Sequence, residues 1–387
     1  MFSADSYIMP GDRRAKATIP VGILYSVSGQ YGGIGREMLN GIMLAIEEVN
    51  ASRRFNFTLA PVVYDPACNL DNYYRYCHDL LYRHGVKHIV GCYTSASRKL
   101  ILPLVEGANA LLWHTARYEG FESSNNVMYL GAVPNQHVLP MLSYVINHYP
   151  AEIYHVGSNY IWSEEIDRII RDALETQGGA MIHSQFLALG DTEVEQVILD
   201  IIHRRPPVIL VTLVGISAYR FYRVWKTMEQ DYEFLRSQSI VRLSLTLCES
   251  EVALVGADAL EGYLVSAVYF QSIENEQNSQ FIQRYRRRFG ENATTTVDAE
   301  AAWMCGHFLA KAINRCGSDE TSQVREAVYA ESLSAPNGVT CINRENNHAS
   351  LTPRLARLGK DGRFQILWQS PGPVTPDPWL TWSDFSL

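Results

Sequence analysis

A repeated switch of hydrophobic period constrains this chain more than any other feature. Short apolar runs alternate with stretches whose apolar residues recur every three or four positions. The run IPVGILY (19–25) ends in the polar segment Ser26–Gly35, and then Met38, Ile42, Ala45, Ile46 and Val49 take up helical spacing. The same alternation gives a strand near 58–64, a helix near 71–83, a strand at 88–93 (HIVGCY), a helix from Ser95 to about Ala108 and a strand at 110–114. Strands separated by ten to fifteen helical residues predict a parallel sheet covered by helices on both faces. After VPNQ (133–136) the rhythm restarts with a helix near 137–148, a strand at 152–157, a helix near 163–176 and a strand at 181–187. A helix near 192–204 and the strand VILVTLV (208–214) follow. A later strand at 263–268 and helices near 275–289 and 298–315 show that both units receive returning segments. The predicted fold class is therefore α/β, with two doubly wound parallel-sheet lobes. The first spans 1–132 plus about 263–340, and the second spans 133–262 plus about 341–387. Prolines 353, 371, 373, 376 and 378 restrict the last forty residues to short strands and loop.

Composition narrows the function. With 33 basic and 41 acidic residues the formal charge is −8, which disfavours a non-specific nucleic-acid or anionic-membrane binder. The first twenty residues hold no secretory pattern and no eighteen-residue apolar stretch occurs, so a cytoplasmic location without a membrane span is expected. Seven cysteines without short paired spacing read as reduced thiols.

In open parallel sheets, ligands sit at the carboxyl ends of strands. The turns of interest are Ser26–Gly35, Tyr93–Ser97, Trp113–Gly120, Asn159–Glu165 and Thr212–Ser217. The first lacks the spacing of a phosphate loop and reads as a mobile polar turn. In the second, Thr94 or Ser95 is placed to cap the following helix. Aromatic and hydroxyl residues recur at these edges without a matching set of acids, which suits a small neutral polar ligand better than a phosphate or metal. Cys92 reads as a core thiol rather than a nucleophile, and His114 as a structural group or a ligand contact. The basic run 284–288 shares a helix with Phe281, Ile282, Tyr285 and Phe289 on one face, which makes it a solvated helix surface. Hydrolase and zinc motifs are absent, and no enzyme activity, cofactor or metal is expected.

The runs IVGCYTSASRKLILPLVEGANALLWHTARYEGFE (89–122), VPNQ (133–136), VGSNYIW (156–162), VTLVGISAYRFYR (211–223), SLTLCESEVA (244–253) and NNHASLTPRLARL (346–358) closely resemble the AmiC-type amide sensors. These are negative regulators of aliphatic amidase operons and belong with the type I periplasmic binding proteins. The resemblance extends from about residue 19 to about 380. It implies two lobes joined by three crossovers, with ligand in the cleft between them. It also implies ligand contacts at Tyr93 and Ser95 in the GCYxS turn and at His114 and Ala116 in the next, where the family pattern has tyrosine and threonine. Further implied contacts are Tyr160 and Trp162, the second replacing a tyrosine, and Thr212 and Leu213. The implied function is a ligand-sensing regulator that binds a small neutral amide or urea-like inducer and controls an AmiR-type RNA-binding antiterminator, as a homo-oligomer. The alternative is the solute-binding component of an ABC transporter for amides, urea or branched-chain amino acids. Binding of charged amino acids through Arg117 would place the chain among amino-acid receptors. An amide-converting enzyme would need Cys92 or His114 ionisably coupled in the cleft.

Overall fold

The computed structural model describes residues 16–236 and 240–381. Strands β1 (Ala17–Leu24), β2 (Phe57–Tyr64), β3 (His88–Gly91), β4 (Leu111–His114) and β5 (Val127–Tyr129) form a wholly parallel sheet in the order β2-β1-β3-β4-β5. All residues of β3 and β4 are buried. Strands covered on both faces have no polar side to present, which is why they read as continuous apolar runs.

The second sheet is built on β6 (Glu152–Ser158), β7 (Ala180–Leu187), β8 (Val208–Thr212), β9 (Val241–Ser244) and β10 (Leu264–Ala267), parallel throughout. A small antiparallel sheet of β11 (Ser332–Ala335), β12 (Gly338–Ile342) and β13 (Ala349–Ser350) follows in the chain. Finally β14 (Arg354–Leu358) and β15 (Phe364–Gln369) extend the second sheet antiparallel, giving the order β15-β14-β10-β9-β8-β6-β7.

The chain thus passes between lobes three times: after β5, after β10, and between β13 and β14. The expected boundaries need correction at two of these points. β10 pairs with β9 and β14, so it belongs to the second lobe and not to a first-lobe segment beginning at 263. The third passage also falls later than residue 341, because Tyr129 of β5 bridges His348 and keeps the strands before it beside the first sheet. Both errors arise where a strand ends at the hinge, since apolar pattern alone does not say which sheet takes it up.

Two packing features position the cleft. The returning helix Val297–Cys316 lies along the helix Gly32–Ala51, so closely that a Cβ on Gly41 would fall 2.0 Å from the Ala299 carbonyl oxygen. That approach sets the first turn of the later helix, with Asp298, at the first lobe's strand ends. The Ser26–Gly35 turn, expected to be mobile, is tied down: Val27 N–H and Ser28 Oγ donate to the two Asp65 oxygens at 3.0 and 2.7 Å. Across the cleft the lobes meet at Gly215, whose φ is +61° and whose Cβ would lie 2.2 Å from the Gln30 carbonyl oxygen. Only glycine satisfies both the backbone angle and that contact.

Candidate functional site

The turns that end β3, β4, β6 and β9 converge from both lobes. From the first lobe come Tyr93, Arg117 and, on the returning helix, Asp298. Arg117 lies 3.7 Å from Asp298, its side chain 10% exposed. Burial opposes the charge of that guanidinium, but Asp298 and Tyr93 beside it keep it protonated. Tyr93 is buried against Tyr31, with ring centroids 5.3 Å apart. Burial raises its phenol far above the ordinary range although the Arg117 guanidinium lies beside it. The second lobe supplies Tyr160, which also feels Tyr93 and Arg117, and Tyr219 on the helix Ile216–Met228. The helix Glu249–Val255 adds Cys248 at its start and Glu251 in its first turn. Burial pushes the Glu251 carboxyl up to about 8 and that of Glu249 up to about 7. Toward solvent, a cavity of about 290 Å³ opens between Arg36 and Glu37 on one side and Tyr219 and Ser250 on the other.

This lining is chemically specific. Three phenols stay neutral, Arg117 is balanced by Asp298, and Glu251 is held toward its uncharged form. A ligand with a full charge must displace one partner of an existing pair, whereas an uncharged polar molecule can bond to both donors and acceptors as they stand.

The expected site residues divide sharply. Tyr93 and Tyr160 reach the cleft, and Trp162 stands behind it, its ring 6.1 Å from Tyr160 and 6.3 Å from His137. Ser95 and His114 instead belong to a buried polar network inside the first lobe, whose carboxyls Glu119 and Glu122 also meet the half-exposed Lys99. The cap of helix Ser95–Gly107 is Thr94, whose side chain accepts from Ser97 N–H. Ser95 is free of that task but donates its hydroxyl to Glu119. His114 is fully buried, its Nε2 accepting from Arg98 at 3.1 Å, with Nδ1 3.3 Å from the Gly91 carbonyl oxygen. Burial and Arg98 lower its pKa to about 3. Ala116 is buried with its carbonyl against Gly131.

Thr212 sits in a second internal chain of bonds. His155 joins Asp167 at 2.8 Å and Thr212 at 2.7 Å, and Thr212 joins Ser163. The order is that of a nucleophilic relay, yet Ser163 on the helix Ile161–Thr176 and His155 and Thr212 on the strands it covers are all fully buried. Its effect is to fix the turn that carries Tyr160. Leu213 is likewise buried, its carbonyl accepting from Thr246 Oγ1 at 3.0 Å. Cys92 is wholly buried, and burial with Cys77 nearby drives its thiol strongly upward, so neither residue named for an amide-converting enzyme lies in the cleft.

Sequence reasoning does not single out Asp298, Tyr219 and Glu251 for the site. Glu251 lies within the run SLTLCESEVA (244–253), and Arg117 enters the sequence reading only as the mark of an amino-acid receptor. The larger groove of about 1130 Å³ along the second and third crossings is lined by Gln271, Asn337 and Arg354. It lies apart from the tyrosines, and Arg354 there is spent on Gln369 and on the Val268, Thr352 and Asn337 carbonyls.

Comparison with known proteins places this architecture. Residues 19–384 match the model of the periplasmic binding protein domain. The chain belongs to that family. Its members bind ligands, and the two-lobed fold agrees with solved relatives. A solute-binding protein of an ABC transporter from R. palustris, in complex with benzoate, superposes with a TM-score of 0.83 at 17% identity, covering 93% of this chain and 98% of that one. A solute-binding protein from Rhodopseudomonas palustris HaA2 in complex with p-hydroxybenzoic acid gives 0.83 at 18%, covering 94% and 98%. The leucine-binding protein LivK of Thermotoga maritima gives 0.77 at 16%, covering 91% and 98%. A limonene hydroxylase of Geobacillus stearothermophilus is 25% identical over 127 residues, 33% of this chain. The chain spans 23% of the length of that curated relative.

Proposed function

We propose that this member of the family is a receptor for a small uncharged polar molecule of amide or urea type, held between Tyr93, Arg117 and Tyr160. The observation that carries the reading is the Arg117–Asp298 pair at 3.7 Å among neutral phenols: charge is already balanced, while donors and acceptors remain available to a neutral guest. As the solute-binding component of an ABC transporter, the chain would deliver that molecule for uptake, and the solved relatives support this role. The motif runs favour a second role for the same site. In it the chain is a cytoplasmic, oligomeric amide sensor that restrains an RNA-binding antiterminator and releases it when ligand shifts the lobes, by differential affinity for the two states.

The test is a thermal-shift and calorimetric screen of amides, ureas, benzoates and amino acids, because binding to the native state raises the unfolding midpoint by mass action. Amides or ureas should stabilise the wild type, with the effect abolished in Tyr160→Ala. Stabilisation by charged amino acids or benzoates alone refutes the neutral-ligand reading. The two roles separate in cells lacking the gene: loss of labelled-ligand uptake marks the transporter component, and ligand-independent expression of an amidase operon marks the sensor.

A further inference from the structure

At the inner end of the cleft lies a narrow chamber of about 10 Å³, lined by Thr115, Arg117, His137, Ser266, Asp298 and Glu300 among others. It shares Arg117 and Asp298 with the site above. That volume admits about one water-sized group and excludes a ring. His137 comes from the first turn of the helix Pro134–His148 and is 1% exposed. Its Nδ1 lies 3.0 Å from the Val133 carbonyl oxygen. A carbonyl only accepts, so Nδ1 carries the proton and Nε2 is left as an acceptor. Burial, opposed by the Val133 bond and reinforced by Arg117, lowers the ring's pKa to about 3, which keeps it neutral.

Nε2 is fully buried and has no hydrogen-bond partner among the described residues. Three other polar groups that line the chamber are engaged, while the indole N–H of Trp162 beside the imidazole is itself buried without a partner among the described residues. Thr115 bonds to Tyr25 at 2.6 Å, Ser266 donates to the His137 carbonyl at 2.6 Å, and the Glu300 carboxyl, which burial pushes up to about 8, accepts from Asn337 Nδ2 and N–H at 3.3 and 3.4 Å. Trp162 stacks against the imidazole at an interplanar angle of 11° and fixes its aim. A buried acceptor without a donor is costly, so the chemical need of this chamber is an N–H or O–H group.

We propose that the chamber is a recognition point of the ligand site, at which His137 Nε2 accepts a hydrogen bond from a small N–H or O–H substituent of a ligand whose oxygen faces Arg117. This rests on the cleft being the ligand site and narrows the ligand class. A primary carboxamide or urea presents both groups on one carbon. Trp162 acts as a positioning residue behind His137.

The experiment is calorimetry on the full chain with pairs that exchange a donor for a group lacking one: butyramide against 2-pentanone, and 4-hydroxybenzoate against benzoate. Each pair is measured on wild type, His137→Leu and His137→Gln, with thermal unfolding as the check on folding. Wild type should prefer the donor-bearing member by about tenfold or more, since a site built for a donor rejects an analogue without it. The preference should vanish in His137→Leu and survive in His137→Gln, whose amide oxygen still accepts. A preference that persists in His137→Leu, or none in wild type, overturns the proposal. If only the benzoate pair binds and its hydroxyl preference is lost in His137→Leu, the chamber assignment stands and the amide reading falls. If no member of either pair binds, both fall. A nitrogen-15 spectrum of wild-type imidazoles needs no variant: the His137 Nε2 resonance should move with butyramide and not with 2-pentanone, and an unmoved resonance is decisive against the proposal.

Discussion

Arg98, in the first turn of the helix Ser95–Gly107, and Arg117, in the turn that follows β4, both stand near strand ends of the first lobe, yet they serve opposite purposes. The Arg98 side chain is completely buried, with Nε donating to Glu122 at 2.8 Å, Nη2 to Glu122 and Glu119 at 3.2 and 3.4 Å, and Nη1 to His114 at 3.1 Å. Its plane also covers the Tyr118 ring at 4.5 Å. The guanidinium is saturated from every side. Arg117 has one ion pair among the described residues, the longer contact to Asp298, and faces phenols from both lobes. The contrast separates two uses of buried charge: a satisfied network specifies one packing, whereas a partly satisfied one retains binding capacity.

This contrast can be broken most forcefully at Arg98. Arg98→Leu should cost ~3–5 kcal/mol in urea unfolding or abolish folding, because Glu119 and Glu122 lose their buried cation and keep only the half-exposed Lys99, at 3.9 and 3.2 Å. A loss below about 1 kcal/mol would mean that the network is not structural.

The two regions should also respond to pH with opposite sign. Glu122 is buried, but Arg98 holds its pKa down to about 2. Its contribution is fully present above the ordinary value of 4.5 and is lost as pH falls toward 2. Glu251 is raised to about 8, so between pH 4.5 and 8 the unfolded chain releases a proton that the folded chain keeps, and stability falls as pH rises. Each carboxyl contributes at most about 1.4 kcal/mol per pH unit. Unfolding midpoints measured from pH 3 to 8 should therefore rise and then decline, with the decline flattened in Glu251→Gln. An unaltered decline in that variant would remove Glu251 from its cause.

Arg117→Gln sharpens the comparison from the other side. Ligand affinity should fall by about tenfold or more, equivalent to about 1.4 kcal/mol, while the stability of the ligand-free protein changes by less than about 1 kcal/mol, since burial already raises the Asp298 pKa against the pull of Arg117 and the carboxyl can take up a proton once that cation is gone. A stability loss as large as that of Arg98→Leu would erase the distinction. The smallest effect is expected at Thr94→Ala, which removes the helix cap beneath Tyr93. A loss of about 1 kcal/mol in unfolding free energy is expected, with little change in affinity.

Much of the fold was legible because buried parallel strands and amphipathic helices leave different periodicities. The runs at 88–93 and 208–214 lie on β3 and β8, and the helix expected at 298–315 is Val297–Cys316. The small sheet of β11–β13 was not legible, since its short strands mix exposed and buried residues. The site was legible as a set of turns and less so as a set of side chains. Which residue of a turn faces the cleft depends on local backbone rotation, as at Cys92, whose φ is +65°. Asp298 was hidden for another reason: it lies in a remote segment, and only the close helix contact at Gly41 brings it to the strand ends. His137 looked like an ordinary helix residue, and its unpartnered nitrogen is visible only in three dimensions.

The three crossings between lobes have a mechanical consequence. A single tether would let the lobes twist, slide and bend independently. Three backbone connections gathered along one side remove most of those freedoms and leave rotation about one line as the soft motion. Binding of a ligand in the cleft as proposed would thereby be translated into essentially one angle. A protein resting across both outer rims would register that angle without touching a molecule in the cleft.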